Sequence, residues 1–103
     1  MTNLKKVGDS VKGSEYENEE GEKYLLSAVT RHYQGTAKKP VYYLSQWQAG
    51  RWAYVSGLFR TKQDGVYSFD TRDNFGVRRL STCILSEGGD SMTLQDGRAT
   101  KTA

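Results

Sequence analysis

Tyr42-Tyr43-Leu44-Ser45-Gln46-Trp47-Gln48-Ala49-Gly50-Arg51-Trp52-Ala53-Tyr54-Val55-Ser56-Gly57 is the stretch whose reading decides the fold. Two aromatic-rich runs flank the pair Ala49-Gly50. Aromatic residues suit strands, and a Gly-containing pair suits a tight hairpin loop. A two-residue loop pairs Gln48 with Arg51 and Trp47 with Trp52. Farther out, Ser45 then meets Tyr54 and Tyr43 meets Ser56. Side chains alternate across a strand, so all of these from Tyr43 to Ser56 except Gln48 and Arg51 share one face. The other face carries Gln46 with Ala53, Leu44 with Val55, and Tyr42 with Gly57. One face is aromatic and hydroxylated; the other is aliphatic. The indole pair adds about 0.5–1.5 kcal/mol beyond its burial. Two readings follow. Either the aromatic face is the core, or the aliphatic face is the core and the aromatic one is a platform. A third arrangement covers one side with the domain's own barrel and the other with a partner.

Working outward, the same strand pattern recurs. Lys23–Tyr33, Val41–Gln48, Arg51–Phe59, Gly65–Thr71, Gly76–Ser86 and Ser91–Gln95 are strand candidates. Turn signals separate them: Gly35 to Pro40, Asp64-Gly65, Asp73-Asn74, Gly88-Gly89 and Asp96-Gly97. This spacing predicts an all-β fold, a small antiparallel barrel or sandwich of about five to six strands, comparable in size to OB or SH3 domains. No window sustains a helical apolar period without a Gly interruption. Residues 1–22 differ, with six acidic and three basic side chains. The run Glu15, Glu17, Glu19, Glu20, Glu22 predicts a flexible acidic segment, either a solvated leader or a flap over a basic face. Residues 23–97 form the single β domain in this reading, and 98–103 a flexible tail.

Composition limits the chemistry. The chain has 103 residues, and 36% of them are hydrophobic. Leu, Ile, Val and Phe number nineteen, a fraction that borders on disorder, but a net charge of +3 is too small for a disordered chain. Nine Tyr and Trp residues supply the missing apolar surface. One Cys excludes an intrachain disulfide framework, and one Cys with one His leaves no zinc site. No metal or other cofactor is expected. Cys83 lies in an apolar strand context and reads as a core residue rather than a reactive thiolate. His32 has no nucleophile at a defined offset, and Gly88-Gly89 lacks the Lys of a phosphate loop. These absences predict a protein that is not an enzyme. With no apolar run of membrane-spanning length and no secretory leader, the expected location is cytoplasmic, with no membrane partner.

Charge points to a ligand. Between Lys23 and Arg79 there are ten basic and three acidic residues. Arg51, Arg60, Arg78 and Arg79 fall at strand ends and turns beside aromatics. Cations that follow phosphates and flat rings that take bases are what single-stranded nucleic acid needs. The expected contact set is Tyr43, Trp47, Arg51, Trp52, Tyr54, Arg60, Arg78 and Arg79. Gly50-Arg51-Trp52-Ala53-Tyr54-Val55 resembles the aromatic strand motif of RNA-recognition and cold-shock domains, with Trp52 and Tyr54 at the two stacking positions. It departs from them by placing Trp52 directly after Arg51, where those families have glycine, and the resemblance covers six residues. Aromatic and Arg side chains also anchor protein interfaces. The alternative is therefore a protein-interaction module: an accessory subunit, or a phage or mobile-element inhibitor of a larger nucleic-acid machine. A symmetric homodimer belongs to that alternative. Carbohydrate binding is a weaker third reading, since neutral sugars gain nothing from Arg clusters.

Overall fold

The computed structural model describes residues 2–29, 39–72 and 75–95. Eight strands run in sequence: β1 (Thr2–Ser10), β2 (Gly13–Glu17), β3 (Lys23–Ala28), β4 (Tyr42–Gln48), β5 (Arg51–Arg60), β6 (Val66–Arg72), β7 (Arg78–Leu85) and β8 (Ser91–Gln95). Each pairs antiparallel with the next, and β1 pairs antiparallel with β8 to close a barrel. The all-β barrel expected from the hairpin is present, with eight strands rather than five to six.

The two additional strands come from the acidic stretch. Residues expected to be a flexible leader form β1 and β2, which join β8 and β3. Their sparse apolar residues are enough because each strand needs few inward positions. Leu4 and Tyr16 are buried, and two of the charged side chains between them, Lys6 and Asp9, pair with each other. Lys6 Nζ lies 3.0 Å from Asp9 Oδ1, and Ser14 Oγ donates to the same oxygen at 2.7 Å. Hydrogen bonding to Asp9 raises the Lys6 pKa, and the bonds from Ser14 and Lys6 lower that of Asp9. The expected tail at 98–103, like His32, lies outside the described residues.

The core is built one residue per strand. Leu4, Tyr16, Leu26, Leu44, Leu58, Phe69, Cys83 and Met92 form a single buried cluster, and each belongs to a different strand. Eight strands enclose a space that side chains can fill, so the interior is a packed core. This economy explains the low apolar content, since half of every strand faces outward. Tyr16 also ties one end of the barrel shut: its hydroxyl donates to the Gly89 carbonyl at 2.6 Å, across to the β7–β8 connection. Outward positions on β1, β2, β6 and β7 carry Lys5, Glu15, Glu17, Asp70 and Arg78. Among the described residues no helix is long and apolar enough to cross a membrane.

The β4–β5 hairpin turns on Ala49 and Gly50, with φ of 50° and 79°. Positive φ at both central residues gives the turn hand that matches strand twist. Gln48 pairs with Arg51, Trp47 with Trp52, Gln46 with Ala53 and Ser45 with Tyr54, as the loop length predicts. The ladder then shifts. Leu44 pairs with Ser56, Tyr43 with Gly57 and Tyr42 with Leu58, leaving Val55 as an extra residue in a bulge. Ser56, expected beside the aromatics, thereby turns to the Leu44 side. From the bulge back toward the tip, β5 and β6 part: among the described residues they pair only at Phe59–Ser68 and Arg60–Tyr67. The β4–β5 and β6–β7 hairpins therefore project as two arms, joined near their base.

Candidate functional site

Leu44 and Leu58 are fully buried, so the aliphatic side of the hairpin faces the barrel interior. Tyr43, Ser45, Trp47, Trp52 and Tyr54 consequently lie on the outer surface. Their order follows from the register. Trp47 and Trp52 meet edge to face at 5.0 Å between ring centroids, and Tyr43 and Tyr54 do so at 5.8 Å. Trp47 is 45% exposed and Tyr54 65%. The rings do not float on the surface. Leu25 of β3 pairs with Ser45, which puts it on the same outer side, yet it is only 4% exposed. By register its neighbours along β4 are Tyr43 and Trp47, so a small apolar base lies beneath the aromatic rows. At the other end, Pro40 occupies the space a side chain at Gly57 would need: a Cβ there would sit 2.9 Å from the Pro40 Cβ and 3.7 Å from the Tyr54 hydroxyl. Glycine at 57 thus lets Pro40 close over β5.

The basic residues do not form one set. Arg51 is exposed at the hairpin tip, opposite Gln48, on the alternate side of the strand from Trp52. Arg60 stands nine residues farther along β5, about 30 Å away at strand rise, paired with Tyr67 at the opposite barrel end. Arg78 and Arg79 lie on opposite sides of β7, opposite Arg72 and Thr71. Among the described residues, Arg78 shares a groove with Tyr54. A groove of about 700 Å³ opens between the two arms, lined by Gln46, Gln48, Tyr54, Val55, Asp70, Thr71 and Arg78. Arg78 Nη2 donates to Asp70 Oδ2 in an ion pair, which holds the guanidinium protonated.

Polar groups of this groove were not among the residues expected from sequence. Gln48 Nε2 donates to Gln46 Oε1 at 3.0 Å, and Gln46 Nε2 donates to Glu22 Oε2 at 3.4 Å. Asn18 Nδ2 donates to the other Glu22 oxygen at 2.9 Å. The acidic β2–β3 turn thus stands beside the hairpin tip and orders its amides. A second groove of about 660 Å³ lies on the β1–β2–β8 side and is lined by Glu17, Glu19, Glu20 and Glu22 with Lys5. Among the described residues no group of His, Cys, Asp and Glu could hold a metal ion. Comparison with protein-family models, curated proteins and solved structures gives no match.

Proposed function

We propose that this chain is a non-enzymatic binding domain that contacts single-stranded nucleic acid through the outer face of β4 and β5. The observation that carries the proposal is the pair of aromatic rows, Trp47–Trp52 and Tyr43–Tyr54, held outside the barrel over Leu25 while the aliphatic face fills the core. Large rings displayed on a sheet, with Arg51 at its tip and Arg78 at its edge, offer stacking surfaces and phosphate contacts together. Arg60 stands apart from this face and is left out of the contact set. Cytoplasmic residence belongs to the same proposal. The direct test is quenching of tryptophan fluorescence by a mixed-sequence oligonucleotide of about ten nucleotides. Two or three phosphate contacts predict an affinity that falls with salt at a log–log slope of roughly −1.5 to −2. No quenching at low salt removes the proposal.

The open seam favours a second reading, protein association. Exposed apolar side chains stand on the two arms that flank it: Trp47 and Tyr54 on one, Leu80, Val77 and Phe75 on the other. Among the described residues, the stretches of β5 and β6 that do not pair with each other are edges where another chain can add a strand. A symmetric dimer through β5 is the simplest form, and light scattering over a concentration series reads it directly. A monomer at every concentration removes the dimer.

A further inference from the structure

The groove between the arms differs from the stacking face in chemistry. Part of its donor capacity is engaged within the protein. The amides form a chain in which Gln48 donates to Gln46 and Gln46 donates to Glu22. Such a chain has polarity: with the donors running toward Glu22, its outer end presents the Gln48 carbonyl oxygen, an acceptor, beside the second N–H of that amide. Across the groove stands the Asp70 carboxylate, also an acceptor, fixed by Arg78. Thr71 lies beside Asp70, and the Tyr54 ring forms the wall shared with the outer face. The volume is within the range of small-ligand sites, about 300–1,000 Å³.

These features discriminate among the parts of a nucleotide. Asp70 and Arg78 line the groove as an ion pair and cancel in charge, which leaves little to draw a phosphate into it. An uncharged ring suits it. A ring that presents an exocyclic amino group satisfies the two acceptors, whereas one that presents only a carbonyl oxygen there faces like against like. Carboxylates accept from the cytosine amino group, and a glutamine amide takes an amino group and adjacent ring nitrogen together. Bases of a single strand are read in this way, on edges freed from pairing.

We propose that the groove of Gln46, Gln48, Tyr54, Asp70 and Thr71 receives one amino-bearing base, with cytosine preferred over thymine. The proposal rests on the stacking function above and gives that function base selectivity. Oligo-dC and oligo-dT of equal length test it, because the two rings are both pyrimidines and differ at the exocyclic group. Oligo-dC binds about tenfold more tightly by tryptophan quenching, a discrimination of the size one good base contact provides. Gln48→Met and Asp70→Ala each bring the dC/dT affinity ratio to about one. Both side chains are exposed, and circular dichroism verifies that each variant folds. Trp52→Ala weakens both oligonucleotides alike and keeps the ratio. Equal binding of dC and dT by the unaltered chain overturns the base site and leaves the stacking function standing. A dC preference that survives both groove variants also overturns it, since the selectivity then arises elsewhere. Binding of neither oligonucleotide overturns the site and the stacking function together.

Discussion

Ala49 carries a φ of 50° in the tightest turn next to the aromatic face. Left-handed backbone places a Cβ against the following carbonyl, at a cost of about 1–2 kcal/mol. Asparagine tolerates this conformation, and Asn-Gly is the preferred pair for such a loop. Ala49→Asn is expected to stabilise the fold by about 0.5–1 kcal/mol, a rise in Tm of roughly 2–6 °C by calorimetry. An unchanged or lower Tm would show that the turn is not left-handed at 49. At Trp52 the expected effect is on binding. Losing one stacking ring weakens an oligonucleotide complex by about 1–3 kcal/mol, roughly 5- to 150-fold. Trp52→Phe keeps a flat ring and retains most of the affinity in the same titration. Retention of full affinity by Trp52→Ala would remove the indole from the interface. The Trp47–Trp52 partnership was legible because a two-residue loop leaves a single register. Leu25 was not, because an aliphatic residue at an outward position gives the same letter as one turned inward. Only the register with Ser45 reveals its side of the sheet.

Strands β3 to β8 were legible as elements because turn residues punctuate them and their aromatic and branched residues favour extended backbone. Strands β1 and β2 were hidden by their charge. A strand that contributes one or two side chains to a core looks, in composition, like a solvated segment. The bulge at Val55 had one faint signal, Gly57 in a strand interior, where glycine often marks such a defect. The parting of β5 from β6 had none, since alternation within a strand says nothing about which neighbour pairs with it. Hence Gln46, Gln48 and Asp70 were invisible as a group: they converge only because two hairpins diverge. Element-scale stability depends on how the N-terminal strands are fastened. Tyr16 reaches from β2 to the Gly89 carbonyl, joining residues 73 positions apart. Tyr16→Phe keeps the ring in the core and removes this bond, at an expected cost of about 0.5–1.5 kcal/mol in urea unfolding. A change within error would mean the barrel end is held without it, by the β1–β8 ladder.

At the scale of the whole molecule, the question is whether the barrel encloses a dry core or a wet lumen, and alkaline titration answers it. Cys83 is fully buried, and burial pushes its thiol up to about 12 from an ordinary 9.0. Burial likewise raises the phenols of Tyr16 and Tyr67, the latter with a smaller effect from Tyr42. In each case the folded group holds its proton more tightly than the unfolded one. Their stabilising effect is therefore complete below the unfolded pKa values, near 9 for the thiol and 10 for the phenols, and is lost as pH rises through the folded values. The expected urea midpoint is flat in these groups from neutral pH to about 8.5 and falls between about 9 and 12. The Cys83 share of that fall is about 4 kcal/mol, three pKa units at 1.36 kcal/mol each. Cys83→Ala should be somewhat less stable at neutral pH, because it leaves a small cavity among Leu4, Leu44, Leu58 and Met92. Its alkaline limb should be shallower than that of the unaltered chain. Water inside the barrel would solvate the thiolate, return the thiol toward its ordinary range, and make the two profiles parallel. Parallel profiles would therefore contradict the packed interior, and with it the reason that the aliphatic face of the β4–β5 hairpin turns inward and its rings outward.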